Sequence, residues 1–158
     1  MMGGQKGFTL IEMMVTLTIM ATLAAAALPV VNKYTQRQKE EELHLALRQI
    51  REALDEYHKA ALSGQVAKAT DASGYPAELR LLASGVADIT SPNEKMIYFM
   101  RRIPRDPFCD CEGRKNEETW KVRSSTAEPD SFDGGKDVYD IRSSSALSGL
   151  NGVPYAQW

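Results

Sequence analysis

The stretch GFTLIEMMVTLTIMATLAAAALPVV, residues 7–31, decides how this chain folds. Residues 8–31 are 24 predominantly apolar positions with a single charged side chain, Glu12. As a helix rising about 1.5 Å per residue they reach roughly 36 Å, enough to cross the hydrocarbon core of a bilayer. Before them stand residues 1–7, MMGGQKG, short, glycine-rich and carrying one positive charge at Lys6. A secretory signal peptide is the competing reading, and alanines 24–27 imitate its small-residue cleavage site. Such a peptide has a shorter apolar run, however, and no use for a carboxylate in its first turns.

Glu12 is therefore the informative residue. An acidic side chain at the centre of a spanning helix costs about 3 kcal/mol on insertion scales, so an intramembrane carboxylate implies a function and a partner. Cleavage between Gly7 and Phe8 places the new α-amino group four residues before Glu12, one helical turn away. The two charges then meet within one subunit, or Glu12 meets the amine of a neighbour in a staggered bundle.

The string Gly7-Phe8-Thr9-Leu10-Ile11-Glu12 resembles the processing motif of the type IV pilin and type II secretion pseudopilin family. The resemblance implies removal of the 1–7 leader by a membrane peptidase, N-methylation of Phe8, and a role for Glu12 in assembly. Pro29 resembles the helix-breaking proline of many family members. Proline removes a backbone donor and crowds the preceding turn, so a kink or a locally melted segment is expected there.

Beyond Val31 the pattern changes and the helix continues. Residues 32–62 contain no proline and no glycine. Leu43, Leu47, Ile50, Leu54, Tyr57 and Ala61 recur at helical spacing as one apolar stripe, with charged residues on the other faces. Ser63-Gly64 supplies the stop. Residues 32–63 thus read as an amphipathic continuation whose stripe packs a globular head, residues 64–158.

In the head, 67–74 reads as loop, and a short helix after Pro76 carries Leu79, Leu81 and Leu82 to Gly85. Ser91-Pro92-Asn93 is a turn. MIYFM at 96–100 is strand or helix tail, and TWKVR (119–123) and DVYDIR (137–142) favour strands, with a weaker strand before Pro107. One long helix on a small antiparallel sheet predicts an α+β, pilin-like fold.

The remaining composition bounds the function classes. The 158 residues suit one domain plus an extension, net charge is −2 with 25% charged residues, and no basic stripe points to nucleic acid. The mean hydropathy of −0.35 averages a strongly apolar N-terminus with a polar remainder. Cys109-Asp110-Cys111 cannot complete a structural zinc set, and an exported pair of thiols favours a local disulfide. His44 and His58 read as solvated helix residues. Asp130, Asp133, Asp137 and Asp140 surround Gly134-Gly135 but lack the terminal bidentate glutamate of a known calcium loop, so a solvated turn is favoured over a weak metal site. No nucleophile, phosphate loop or paired-carboxylate cleft stands out, and no enzymatic activity or cofactor is expected.

Three head segments make the chain most similar to the G-type major pseudopilin branch: Tyr75-Pro76, Ile103-Pro104-Arg105-Asp106-Pro107-Phe108, and Asp137-Val138-Tyr139-Asp140-Ile141-Arg142-Ser143. That branch commonly binds calcium in the loop after its last strand. The corresponding SSSALSGLNGVPYAQW, 143–158, holds no acidic residue, so those ligands do not carry over. Leu147, Leu150, Val153, Tyr155 and Trp158 are expected to anchor this loop by packing instead. The resemblance implies a single-pass inner-membrane protein with a periplasmic head, assembling into a helical homo-oligomeric filament with other pseudopilins. Its implied machinery is a prepilin peptidase, a platform membrane protein and a cytoplasmic ATPase, and its filament pushes exoproteins through the outer membrane. The alternatives are a type IV pilin or competence pseudopilin serving adhesion, motility or DNA uptake, and an exported binding protein held by a signal anchor.

Overall fold

The computed structural model describes residues 7–68, 73–93 and 95–158. Most of the leader, and residues 69–72 of the expected 67–74 loop, lie outside the described residues. The chain divides after Gln38 into two compact units.

The first unit is built on the opening of helix α1 (Leu10–Leu62), which alone among the described elements is long and apolar enough to cross a membrane. Its large side chains lie bare: Leu10, Leu17, Leu23, Leu28 and Val31 are all more than half exposed. Such a surface is unstable in water and suits lipid tails or the same face of other helices. Of the kink or locally melted segment expected at Pro29, the melted segment is not formed, and α1 runs on through it. The alanines and leucines before it, 23–28, propagate helix well, and one missing donor does not outweigh that cooperativity.

The second unit, 39–158, is organised by the later turns of α1. Leu43, Leu47, Ile50, Leu54, Tyr57 and Ala61 are buried as the stripe requires, with Ala46, Ala53 and Ala60 filling the gaps between them. Against them pack Leu79, Leu82, Ile103, Trp120, Val138, Ile141 and Tyr155. Each large side chain in this cluster contributes roughly 1.5–3 kcal/mol of burial free energy. The helix ends where Gly64 takes φ 78°, a conformation open to glycine.

The sheet is smaller and more divided than expected. Helix α2 (Leu81–Ser84) leads into β1 (Val86–Ala87), which pairs antiparallel with β2 (Met96–Ile97). A second antiparallel pair joins β3 (Trp120–Arg123) to β4 (Asp140–Ser143), in the register Trp120↔Ser143, Lys121↔Arg142, Val122↔Ile141 and Arg123↔Asp140. Trp120 and Ile141 face the core, while Lys121 and Arg142 face away from it. A long helix packed on small antiparallel sheets makes the fold α+β.

Several boundaries moved for local reasons. Asn116–Thr119 forms a 3-10 turn, so Thr119 precedes β3 instead of opening it. No strand forms before Pro107, where two prolines lack donors and the Pro104 carbonyl accepts the Trp120 indole at 2.9 Å. β4 starts three residues later than expected because Asp137 and Val138 bond to Ser125 and Pro76 instead of a strand partner. Phe99 and Met100 end the 96–100 run by donating to the Leu82 carbonyl, each at 3.0 Å.

Candidate functional site: the N-terminal helix and the loops that close the head

Thr9 stands just before α1 and Glu12 three residues later, and the two cap each other. The Glu12 carboxylate accepts the Thr9 amide at 2.9 Å and the Thr9 hydroxyl at 3.0 Å. The Glu12 amide donates back to Thr9 Oγ1 at 3.3 Å. This is a capping box, in which otherwise orphaned N–H groups at the helix start are satisfied by side chains. It also directs the carboxylate back toward the Gly7-Phe8 junction. The Thr-x-x-Glu spacing was present in the sequence as its signal, although the expected partner of Glu12 was an amine. Phe8 is 84% exposed. A Cβ added at Gly7 would meet nothing within 4 Å, and Gly7 does not occupy the left-handed region.

In the head, Asp106 of the Pro-Arg-Asp-Pro turn is the buried organiser. It is 1% exposed, and its carboxylate accepts the Phe108 amide at 2.9 Å, the Ser143 hydroxyl at 2.7 Å and the Ser144 amide at 3.0 Å. Its own amide donates to Thr119 Oγ1 at 3.1 Å. One carboxylate thereby joins the turn at 104–107 to the end of β4. Arg105 donates to the carbonyls of Cys111 and Arg114, and Cys109 and Cys111 are linked as a disulfide.

The acidic run is exposed at Asp130 and Asp133 but not at Asp137 and Asp140. Asp137 is buried, and accepts from the hydroxyls of Ser73, Ser124 and Ser125 and from the Ser125 amide at 2.9 Å. Burial pushes its carboxyl upward, but these donors outweigh that and hold it at about 2. Asp140 bridges Arg51 at 3.0 Å and Arg123 at 3.4 Å. Asp133 accepts only the Ser131 hydroxyl, at 3.2 Å, and Asp130 is exposed. Among the described residues no three His, Cys, Asp or Glu side chains come together as a metal site. The reading of this run as a solvated turn therefore fails at Asp137 and Asp140, whose partners come from distant segments.

The histidines are not simply solvated either. His44 stacks on Trp158 at 4.2 Å and His58 on Tyr75 at 4.2 Å. The 143–158 loop is anchored by fewer side chains than expected. Tyr155 is 1% exposed and stacks on Phe108 at 3.9 Å, and Trp158 is half-buried against it. Leu147, Leu150 and Val153 are 63%, 43% and 38% exposed. The tight turn in which the Gly149 amide donates to Val153 and the Gly152 amide to Gly149 directs them outward. Hydrogen bonds supply the rest of the anchoring. Glu40 accepts the Leu150 amide at 2.8 Å and the Tyr155 phenol at 2.9 Å, and Arg51 donates to the carbonyls of Ile141 and Trp158.

An apolar N-terminal helix with a carboxylate in its first turn thus leads into an α+β head. The family described as the prokaryotic N-terminal methylation motif matches residues 2–28. The chain is 36% identical over 93 residues to a fimbrial protein of Neisseria meningitidis serogroup A / serotype 4A, covering 54% of this chain and 55% of that one. It is 44% identical over 54 residues to the type IV major pilin protein PilE1 of Neisseria gonorrhoeae, covering 34% of this chain and 33% of that one. The chain thus spans about half the length of the first relative and a third of the second. No solved structure matches. The relatives named are fimbrial and type IV major pilin proteins, and neither is a pseudopilin.

Proposed function

We propose that this chain is a structural subunit of a helical filament of the type IV pilin class. It is made as a single-pass inner-membrane precursor with its head, 64–158, in the periplasm. A prepilin peptidase cleaves it between Gly7 and Phe8 and methylates the new amine. Residues 8–31 then form the filament core, and 32–63 carry the head. The observation that carries this reading is the capping pair of Thr9 and Glu12 at the start of an otherwise bare apolar helix. The pair holds a carboxylate near the position of the future N-terminus. In an apolar bundle that carboxylate needs a counter-charge, and the amine of a neighbour supplies it.

The relatives favour a type IV pilin over the type II secretion pseudopilin first expected from the head segments. The pseudopilin reading keeps one specific support, the Pro-Arg-Asp-Pro-Phe turn clamped through Asp106. Mass spectrometry of the mature chain tests the class: a methylated N-terminal Phe8 is expected, and a start near Ala25 or Ala27 overturns it. Deletion of the gene separates the two members of the class. Loss of surface filaments with secretion intact fits the pilin, and loss of protein secretion fits the pseudopilin.

A further inference from the structure

The face of the β3–β4 pair turned away from the core is over-supplied with cations. Lys121 stands directly opposite Arg142, and Arg123 opposite Asp140. Like charges facing each other across an antiparallel pair destabilise it. Arg51 and Arg123 share the single carboxylate of Asp140, and among the described residues Arg142 forms no ion pair. The Arg142 guanidinium lies 4.3 Å from the centre of the Phe132 ring, and its buried Nε meets no acceptor. The indole Nε1 of Trp158 is likewise buried without a partner. Unsatisfied buried donors are costly, and both of these residues line one cavity.

That cavity, of about 590 Å³, is lined by Arg51, Phe132, Arg142 and Trp158, by Pro154, Ala156 and Gln157, and by the acids Asp130 and Asp140. We propose that it is a binding site for a small carboxylic acid carrying a ring-sized body. The planar guanidinium of Arg142 matches a carboxylate in a two-pronged contact, and the Phe132 ring holds it in place. Trp158, Pro154 and Ala156 offer the surface on which a ligand ring rests. The occupant neutralises the charge that faces Lys121, and the site does not depend on how the N-terminal helix assembles.

The test uses the full-length chain in detergent micelles, titrated with benzoate and with glucuronate at constant ionic strength, and read by ¹⁵N NMR at the two indole N–H groups. Saturable shifts at Trp158, with Trp120 unmoved, are expected from at least one acid. Arg142→Gln should weaken that binding by about tenfold or more with little change in melting temperature, because relief of the like charge at Lys121 offsets loss of the contact with Phe132. Asp130→Asn should leave binding unchanged or tighten it, since a competing carboxylate is removed. Absence of saturable shifts with both acids overturns the proposal, as does equal affinity in Arg142→Gln. It also fails if Asp130→Asn alone moves the Trp158 indole as a ligand would, for then Asp130 already fills the site.

Discussion

The phenol of Tyr155 donates to Glu40 Oε1 at 2.9 Å, tying the 3-10 turn Tyr155–Gln157 to a residue 115 positions earlier in α1. The same carboxylate oxygen accepts the Leu150 amide at 2.8 Å. One helix side chain therefore closes both ends of the last loop. Tyr155→Phe keeps the buried ring and its stack on Phe108 but removes one donor, and should cost about 1 kcal/mol. Glu40→Ala removes the acceptor for two groups and should cost about 2 kcal/mol. Thermal unfolding of the two variants checks the order, and equal melting temperatures for both would contradict it.

Asp106 should be the most sensitive polar residue in the head. Asp106→Ala strands the Phe108 amide, the Ser143 hydroxyl and the Ser144 amide around a buried gap. A loss of roughly 3 kcal/mol is expected, with Asp106→Asn in between because it keeps one acceptor oxygen. Denaturant titration measures both.

Asp137 sets an acid limit on head stability. Its folded carboxyl is lowered from 3.8 to about 2, so between those values the folded state binds fewer protons than the unfolded chain. The stabilisation is fully present above the unfolded value and is lost as pH falls toward the folded one, for a total of about 2 kcal/mol. Asp137→Asn should flatten the dependence of the melting temperature on pH between about 4 and about 2. An unchanged slope would show that the serine hydroxyls do not stabilise the charge.

Glu12→Ala should leave membrane insertion intact or improved, because a charge leaves the apolar run. Filament yield should fall by at least about tenfold, since the amine of the neighbour then lacks its counter-charge in the filament core. Thr9→Val, which removes the hydroxyl that both donates to and accepts from Glu12, should weaken assembly less than Glu12→Ala does. Sheared-filament yield against total membrane-inserted subunit is the measurement, and normal yield from Glu12→Ala rules out the pairing.

Chelation should leave the melting temperature unchanged, because Asp137 and Asp140 already take serine and arginine partners. Trp158→Ala should lower it by the equivalent of about 3 kcal/mol, through loss of the contacts with His44 and Tyr155. A large drop on chelation would mean that the acidic run binds calcium.

What could be read in advance depended on the range over which each signal acts. The stripe of Leu43, Leu47, Ile50, Leu54, Tyr57 and Ala61 was legible because helical period alone dictates which residues face the core. The Gly64 stop and the turn at Gly85 were legible for the same local reason. Asp106 was visible only as part of a turn, since its partners Ser143 and Ser144 lie 37 and 38 residues away. Asp137 was misjudged because an aspartate beside glycines reads as solvent-facing, whereas its hydroxyl partners come from 12 to 64 residues away. The loop at 143–158 shows the converse. Leu147, Leu150 and Val153 are apolar enough to be buried, yet a backbone turn decides that they are not.

The two indoles sit in different surroundings, and this gives the molecule an optical read-out of its own. Trp120 is buried, with its N–H donated to Pro104, while Trp158 lies half-buried against an imidazole face and at the edge of a phenol. The fluorescence of Trp120 therefore reports whether the core is formed, and that of Trp158 reports whether the last loop is seated. Replacing either indole by phenylalanine isolates the other colour. Loop release and global unfolding then become separately visible in the same cuvette.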